Sequence, residues 1–452
     1  MNVYLSSIGC RLNEAELQMW TTAFVKFGYQ IVSHPDKADI VVLNSCTVTA
    51  EAARKSRKAI RRFKKHYPSV KLVVTGCYSS MENANALDQL EIDLVVPNLT
   101  KDHLVAEVEK TFSFLKTDPA LQIYSEPDCQ ANDFENLLSR GMQRAFVKIQ
   151  DGCRYRCTFC MVTLARGEER SRSHDEIISD ITRLVAAGVN EVVLTGVHLG
   201  GYGSDIESSL AQLVSLILTR TAIRRLRISS LEPWNISNDM IDLFGNSRIM
   251  PHVHLPIQSG SNPILKRMAR RGCVEDYAKL VAALRCVRPD ISISSDIIVG
   301  FPGESESDWY MTMQTVKELA FSQLHIFPFS PRKGTVAATF DNAIPSEVIK
   351  SRCKALAQIN QTLQDAYANR FIHSIEEVLL EKVVQEKTIQ ENAIQERMNG
   401  LTPHFIKTFI TDPLCGVEKE PDYVTQPGDI VSVRIDQYVP ELHAFRAHLV
   451  RT

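Results

Sequence analysis

The chain reads Asp151-Gly152-Cys153-Arg154-Tyr155-Arg156-Cys157-Thr158-Phe159-Cys160 just after an apolar run, Ala145–Ile149, with the pattern of a strand. Three thiols at Cys-x3-Cys-x2-Cys spacing are close enough to fold around one metal centre. Three ligands leave a tetrahedral zinc site one short, with Cys129 a conceivable distant fourth. They leave an iron–sulfur cube with one iron open to an outside molecule. Structural zinc more often shows paired Cys-x2-Cys knuckles, so the spacing favours iron and sulfur.

Outward from this loop, a βα series runs from Ala145 to about Arg370. Candidate strands are Ala145–Ile149, Glu191–Thr195, Arg224–Ser229, His252–Pro256, Ser292–Val299 and Ser322–Pro328, with helical stretches between them. Ser237 and Ser305 are expected N-caps. Six such units make a complete or partial (β/α) barrel, whose chemistry sits at the strand C-termini. Residues 1–115 form a separate parallel α/β pattern, with strands at Val3–Ser7, Asp39–Asn44, Lys71–Thr75 and Ile92–Val96. Residues 116–143 read as a linker, 144–373 as the barrel domain, and 374–452 as a small all-β barrel with strands at Val378–Val384, His404–Thr411, Ile430–Ile435 and Ala444–Val450. The expected fold class is therefore multidomain α/β with a C-terminal β-barrel.

Composition sets bounds on the rest. The 452 residues are 44% hydrophobic with a net charge of -2, which excludes a globally basic nucleic-acid binder but not a local basic face. No apolar run of membrane-spanning length is present, and the first residues read as a strand rather than a signal peptide. The odd count of 11 cysteines favours a reducing, cytoplasmic setting over a disulfide framework.

A second set of thiols is Cys10, Cys46 and Cys77, separated by 35 and 30 residues. All three fall in expected loops after strand C-termini along one edge of the N-terminal sheet, where such loops converge on ligands. Spacing alone leaves three unrelated cysteines as the alternative. Cys129, Cys273, Cys286, Cys353 and Cys415 have no such context and read as ordinary thiols. His174, His198, His254 and His325 read as hydrogen-bonded loop or core residues rather than metal ligands.

Cys153-x3-Cys157-x2-Cys160, with Phe159 before the last cysteine, resembles the radical S-adenosylmethionine superfamily. The resemblance to its methylthiotransferase family covers nearly the whole chain. It is carried by Gly9-Cys10-Arg11-Leu12-Asn13, Asn44-Ser45-Cys46-Thr47-Val48-Thr49, Thr75-Gly76-Cys77, Leu194-Thr195-Gly196, His254-Leu255-Pro256-Ile257-Gln258-Ser259-Gly260 and Asp296-Ile297-Ile298-Val299-Gly300-Phe301-Pro302-Gly303-Glu304. Asn44–Thr49 and Gly400-Leu401-Thr402-Pro403 are similar to the branch acting on threonylcarbamoyladenosine beside the tRNA anticodon. The chain departs from the family pattern at Val162-Thr163-Leu164 and at Arg270-Arg271-Gly272-Cys273.

The resemblance implies two 4Fe–4S clusters, one on Cys10, Cys46 and Cys77 and one on Cys153, Cys157 and Cys160. It implies two S-adenosylmethionine molecules per turnover, one methylating a sulfur at the first cluster and one cleaved to a radical at the second. Addition of the methylthio group at C2 of adenosine follows. C2 is an unactivated carbon that no side chain can attack, so no protein residue is expected to carry the catalytic step. Thr195, Gly196, His198, Ser230, Glu232, Gln258, Asp296 and Gly300 are expected to cradle S-adenosylmethionine.

Partners implied are tRNA and an electron donor such as flavodoxin or ferredoxin, with the sulfur donor unknown and no membrane. RNA contacts are expected from Arg54, Lys55, Arg57, Lys58, Arg61, Arg62, Lys64 and Lys65, eight bases in 12 positions, and from Arg166. Residues 374–452 carry eight Lys and Arg against thirteen Asp and Glu, so the small barrel is not a basic RNA grip. Phe405, Phe409 and Tyr438 could stack on bases or fill its core. Alternatives are isopentenyladenosine in tRNA or a ribosomal-protein aspartate as substrate, and a non-enzymatic iron–sulfur carrier.

Overall fold

A computed structural model describes residues 1–82, 84–112, 143–387, 394–411 and 426–450. Nearly all of the expected linker, together with Cys129 and Cys415, lies outside those residues.

The N-terminal sheet has five parallel strands in the order β2-β1-β3-β4-β5: β1 (Asn2–Ser7), β2 (Gln30–Ile31), β3 (Ile40–Ser45), β4 (Lys71–Gly76) and β5 (Leu94–Val96). Every side chain of β3 is buried, as befits a central parallel strand covered on both faces. One cover is α1 (Arg11–Lys26), which packs Leu17, Trp20 and Phe24 against Val3 and Val42. The other is α2 (Ala50–His66), whose Ala53 and Ile60 meet Val41 and Leu43. The edge strand β2 is only two residues long, too short to show a period in sequence.

The central domain carries six parallel strands in two groups. The first is β10 (Arg225–Ile228), β9 (Glu191–Thr195) and β6 (Arg144–Lys148); the second is β11 (His252–His254), β12 (Ser292–Val299) and β13 (Gln323–Pro328). A parallel bridge between Leu226 and Ile249 joins them into a partial barrel. Alternate residues split by face. Ala145, Val147, Val192, Leu194, Leu226, Ile293 and Ile297 join the helices in one core. Arg144, Phe146, Lys148, Glu191, Arg225, Arg227 and Asp296 lie on the other, lumenal face. Ser237 and Ser305 cap their helices as expected, Ser305 in a capping box with Asp308.

The C-terminal barrel closes in the order β14-β15-β16-β18-β17, from β14 (Ile375–Lys387), β15 (Ile394–Leu401), β16 (Lys407–Ile410), β17 (Ile430–Val439) and β18 (Ala444–Leu449). β15 was not among the expected strands, because its Gln-Glu-Arg-Met-Asn run shows no apolar alternation. The Gly400–Pro403 string also has a structural role. Arg225 donates to Leu401 O (3.4 Å) and Glu377 O (3.0 Å), and Arg227 to Pro403 O (3.0 Å), from a buried position beside Glu191. The loop ends in Phe405, at φ 69°, whose ring stacks on His252 at 4.6 Å beneath Arg227. The small barrel thus seals the strand N-termini of the larger one and leaves their C-termini for the site.

Among the described residues, no helix is long and apolar enough to cross a membrane.

Candidate iron–sulfur and substrate site

The N-terminal thiols come from three adjacent strand ends. Cys10 precedes α1, Cys46 follows β3, and Cys77 begins a short helix, Cys77–Met81, straight after β4. Close approach requires glycine before two of them. A Cβ on Gly9 would sit 2.5 Å from Cys46 Cβ, and one on Gly76 would sit 2.3 Å from Ser45 O; both residues have positive φ. Ser56 on α2 clasps the Cys46 peptide, its hydroxyl donating to the carbonyl (2.8 Å) and accepting from the N–H (3.1 Å). Cys46 and Cys77 are buried, and all three thiols are free. Burial pushes the Cys46 thiol up to about 11, and the neighbouring Cys10 and Cys77 add to the shift.

The second trio lies in one loop after β7 (Gln150–Asp151), which pairs antiparallel with β8 (Arg170–Ser171). Its folds are pinned from several sides: Cys153 N–H donates to Gly167 O, Cys160 N–H to Cys157 O, and Val162 N–H to the Cys160 sulfur at 3.4 Å. Thr163 Oγ1 donates to Tyr155 O at 2.7 Å, so the residue at this departure from the family pattern supplies a hydrogen bond to the cysteine loop. Burial raises Cys153 to about 11 and Cys160 to about 12, with Glu232 contributing to both. Arg270 offsets this at Cys157 and pairs with Glu232 at 3.1 Å.

Burial therefore disfavours Cys10 and Cys46 of the first trio, and all three cysteines of the second, as bare thiolates. A cationic centre is what such donor sets are suited to hold.

The Val162–Arg166 helix links the two. At one end is Cys160; at the other, Ala165 O accepts from Asn98 Nδ2 (2.8 Å), which also lies 3.5 Å from the Cys77 sulfur. Arg166 reaches Asn13 Oδ1 (2.8 Å), itself 3.5 Å from the Cys10 sulfur, and pairs with Glu16 (2.9 Å) and Asp151 (3.0 Å). Lys101 and Lys148 complete this buried network. Glu16 is held down at about 2: burial alone would raise it, but Arg166, Lys101 and Lys148 overcome that. Asn13 and Asp151 lie in strings quoted for the family resemblance, but apart from Arg166 no residue of this network was given a role in sequence, because nothing in a local string shows which distant charge it will meet.

Several expected contacts are corrected by the structure. Arg166 is 2% exposed and cannot meet a phosphate. Lys64 is paired with Asp93 at 2.6 Å, leaving Arg54, Lys55, Arg57, Lys58, Arg61, Arg62 and Lys65 exposed on α2. Phe405 is wedged between domains and is not open to a base. Gly300 is a packing residue, since a Cβ there would lie 2.4 Å from Ile349. His198 is buried and bound to Glu169.

The remaining expected cofactor residues sit at strand C-termini on the same side as the cysteine loop, except Asp296, which lies within β12 and pairs with His254 at 3.2 Å. Thr195 and Gly196 end β9, with Gln150 Oε1 accepting from the next two N–H groups. Exposed Ser230 and half-buried Glu232 follow β10. Gln258 N–H donates to Asp296 O at 2.9 Å.

A six-stranded partial barrel with a three-cysteine loop after its first strand defines a radical S-adenosylmethionine enzyme. Residues 147–316 match the Radical SAM superfamily, and residues 2–97 match a family described as Uncharacterized protein family UPF0004. The chain is similar to the threonylcarbamoyladenosine tRNA methylthiotransferase MtaB of Bacillus subtilis, at 35% identity over 84% of both chains. It is also similar to the tRNA-2-methylthio-N(6)-dimethylallyladenosine synthase of Akkermansia muciniphila, at 32% identity over 84% of this chain and 88% of the other. Among solved structures, the radical S-adenosylmethionine methyltransferase TsrM of Kitasatospora setae shares the fold, with a TM-score of 0.55, 15% identity and coverage of 75% and 77%. The chain belongs to the radical S-adenosylmethionine methylthiotransferase family.

Proposed function

We propose that the enzyme adds a methylthio group to C2 of N6-threonylcarbamoyladenosine, next to the anticodon of tRNA. The observation that carries this is the 35% identity with the threonylcarbamoyladenosine enzyme over 84% of each chain, with both cysteine trios in place. In this reading Cys10, Cys46 and Cys77 hold one 4Fe–4S cluster and Cys153, Cys157 and Cys160 hold the other.

Both sites suit a centre that brings positive charge to buried sulfur. When bound, the two clusters supply reductive cleavage of S-adenosylmethionine and delivery of the sulfur. The protein's own residues do the positioning. Thr195, Gly196, Ser230, Glu232 and Gln258 line the strand ends where S-adenosylmethionine is cradled. Arg166 and Asn98 fix the distance between the trios through one short helix. Docking of the small barrel under the strand N-termini sets Phe405 and the Leu401 and Pro403 carbonyls against Arg225, Arg227 and His252 at the far end of the lumen.

The exposed bases of α2, which starts four residues after Cys46, offer tRNA phosphates a surface beside the site. In this reading an electron donor such as a flavodoxin or ferredoxin completes the system, and the enzyme works in the cytoplasm, where its tRNA substrate is. The second reading, dimethylallyladenosine as substrate, is favoured by the 32% identity with its synthase. Mass spectrometry of tRNA nucleosides from cells with and without the gene separates them. Loss of the 2-methylthio form of threonylcarbamoyladenosine is expected; loss of the dimethylallyl form alone contradicts the proposal.

A further inference from the structure

The barrel lumen holds a polar group that neither cysteine trio uses. His254 ends β11, and Asp296 and His325 face one another in register across β12 and β13. One donor atom from each of the three lies within 4.8 Å of the others. His254 is engaged on both nitrogens, with Ser294 Oγ at 2.9 Å and Asp296 at 3.2 Å. His325 stands open. Its residue is exposed, its ring centre is 5.4 Å from that of His254, and among the described residues no hydrogen bond reaches its side chain.

The neighbouring steps of the lumen differ in character. Toward the strand C-termini, Ile298 and Phe327 pair in register, and Phe327 is 42% exposed. Toward the strand N-termini, Ser294 also lies within 3.3 Å of His252, which Phe405 covers. A base entering from the open end meets an apolar step first and an imidazole with free hydrogen-bonding capacity below it. The two N6 substituents in question differ in this chemistry. A threonylcarbamoyl arm carries a carboxylate, a hydroxyl and ureido groups; a dimethylallyl arm carries none. A site with polar groups left unpaired rejects the analogue that cannot pair them.

We infer that His325, backed by His254 and Asp296, is the subsite for the threonylcarbamoyl arm and a specificity-determining residue of the enzyme. This rests on the threonylcarbamoyladenosine reading above.

The test uses the holoenzyme and two anticodon stem-loops that differ only in the N6 substituent of the target adenosine. The readout is the ratio of kcat/KM for threonylcarbamoyl RNA over dimethylallyl RNA, from mass spectrometry of the methylthio products. Where turnover is too slow, the ratio of the two Kd values by fluorescence anisotropy gives the same comparison. His325→Phe is expected to lower the ratio by about 10- to 100-fold, the worth of a hydrogen bond to a charged group. His325→Gln, which keeps a hydrogen-bonding group, is expected to retain most of it. A general loss of fold or cofactor weakens both substrates together and leaves the ratio in place. An unchanged ratio in His325→Phe overturns the inference and leaves the substrate reading standing. A wild-type enzyme acting only on dimethylallyl RNA overturns the substrate reading itself. Stoichiometric zinc in the wild type that is lost in His325→Phe also overturns the inference, by assigning the three side chains to a metal.

Discussion

Arg166 commits its charge to Glu16 and Asp151 inside the protein, within reach of Asn13 and the first cysteine loop. Removing one partner of a buried charge network leaves the others uncompensated. Arg166→Gln is therefore expected to cost roughly 3 kcal/mol of stability, measured by urea denaturation of the apoprotein. The cysteines separate by consequence. Cys157→Ala is expected to abolish 5′-deoxyadenosine formation. Cys46→Ala is expected to retain it while blocking methylthio transfer, with both products assayed on reduced, reconstituted protein. A Cys46→Ala enzyme with wild-type methylthio yield would falsify the assignment of the first trio. At this scale the cysteines were legible, because strand ends and glycines mark them. Arg166 was not, since nothing in Ala165-Arg166-Gly167 tells an arginine facing Glu16 from one facing solvent.

Among the elements, α2 carries the surface proposed for tRNA. Its apolar side, Ala53 and Ile60, is buried, and seven of its eight singled-out bases are exposed. Replacing Arg57, Lys58 and Arg61 with Gln is expected to weaken tRNA binding at every sequence. It should also reduce the slope of log K against log salt by roughly 0.9 for each phosphate no longer neutralised. A titration over salt concentration checks this, and an unchanged slope would remove α2 from the interface. The helices and parallel strands were readable because burial on one or both faces writes a period into them. β15 was hidden because its residues are mostly polar. Gly400–Pro403 was readable as a motif but not as a clamp, since its carbonyls do the work and Arg225 and Arg227 lie 176 residues from the carbonyls they hold.

Across the whole molecule, the two barrels meet through His404 as well. Its Nε2 lies 2.8 Å from Asp290, and Nδ1 lies 3.6 Å from Glu376. Burial pushes His404 down, but hydrogen bonds to Asp290 and Glu376 more than reverse this and raise it. Asp290 is held down at about 2, chiefly by His404. A raised histidine contributes stability below its unfolded value of about 6.5 and loses it as pH rises through the folded value. The depressed Asp290 contributes above its unfolded value of about 3.9 and loses that as pH falls toward about 2. The difference in Tm between wild type and His404→Gln should therefore be largest near pH 5 to 6 and shrink on the alkaline side. A difference constant from pH 5 to 9 would contradict the pairing. The order of the domains was legible in composition, but their docking was not, because it depends on single side chains meeting across long separations.

Mössbauer spectroscopy and iron analysis of anaerobically reconstituted enzyme test the central claim most directly. The account predicts two 4Fe–4S cubes in the wild type, with Cys46→Ala and Cys157→Ala each losing a different one. A single cube, or zinc in place of iron at either trio, would contradict it.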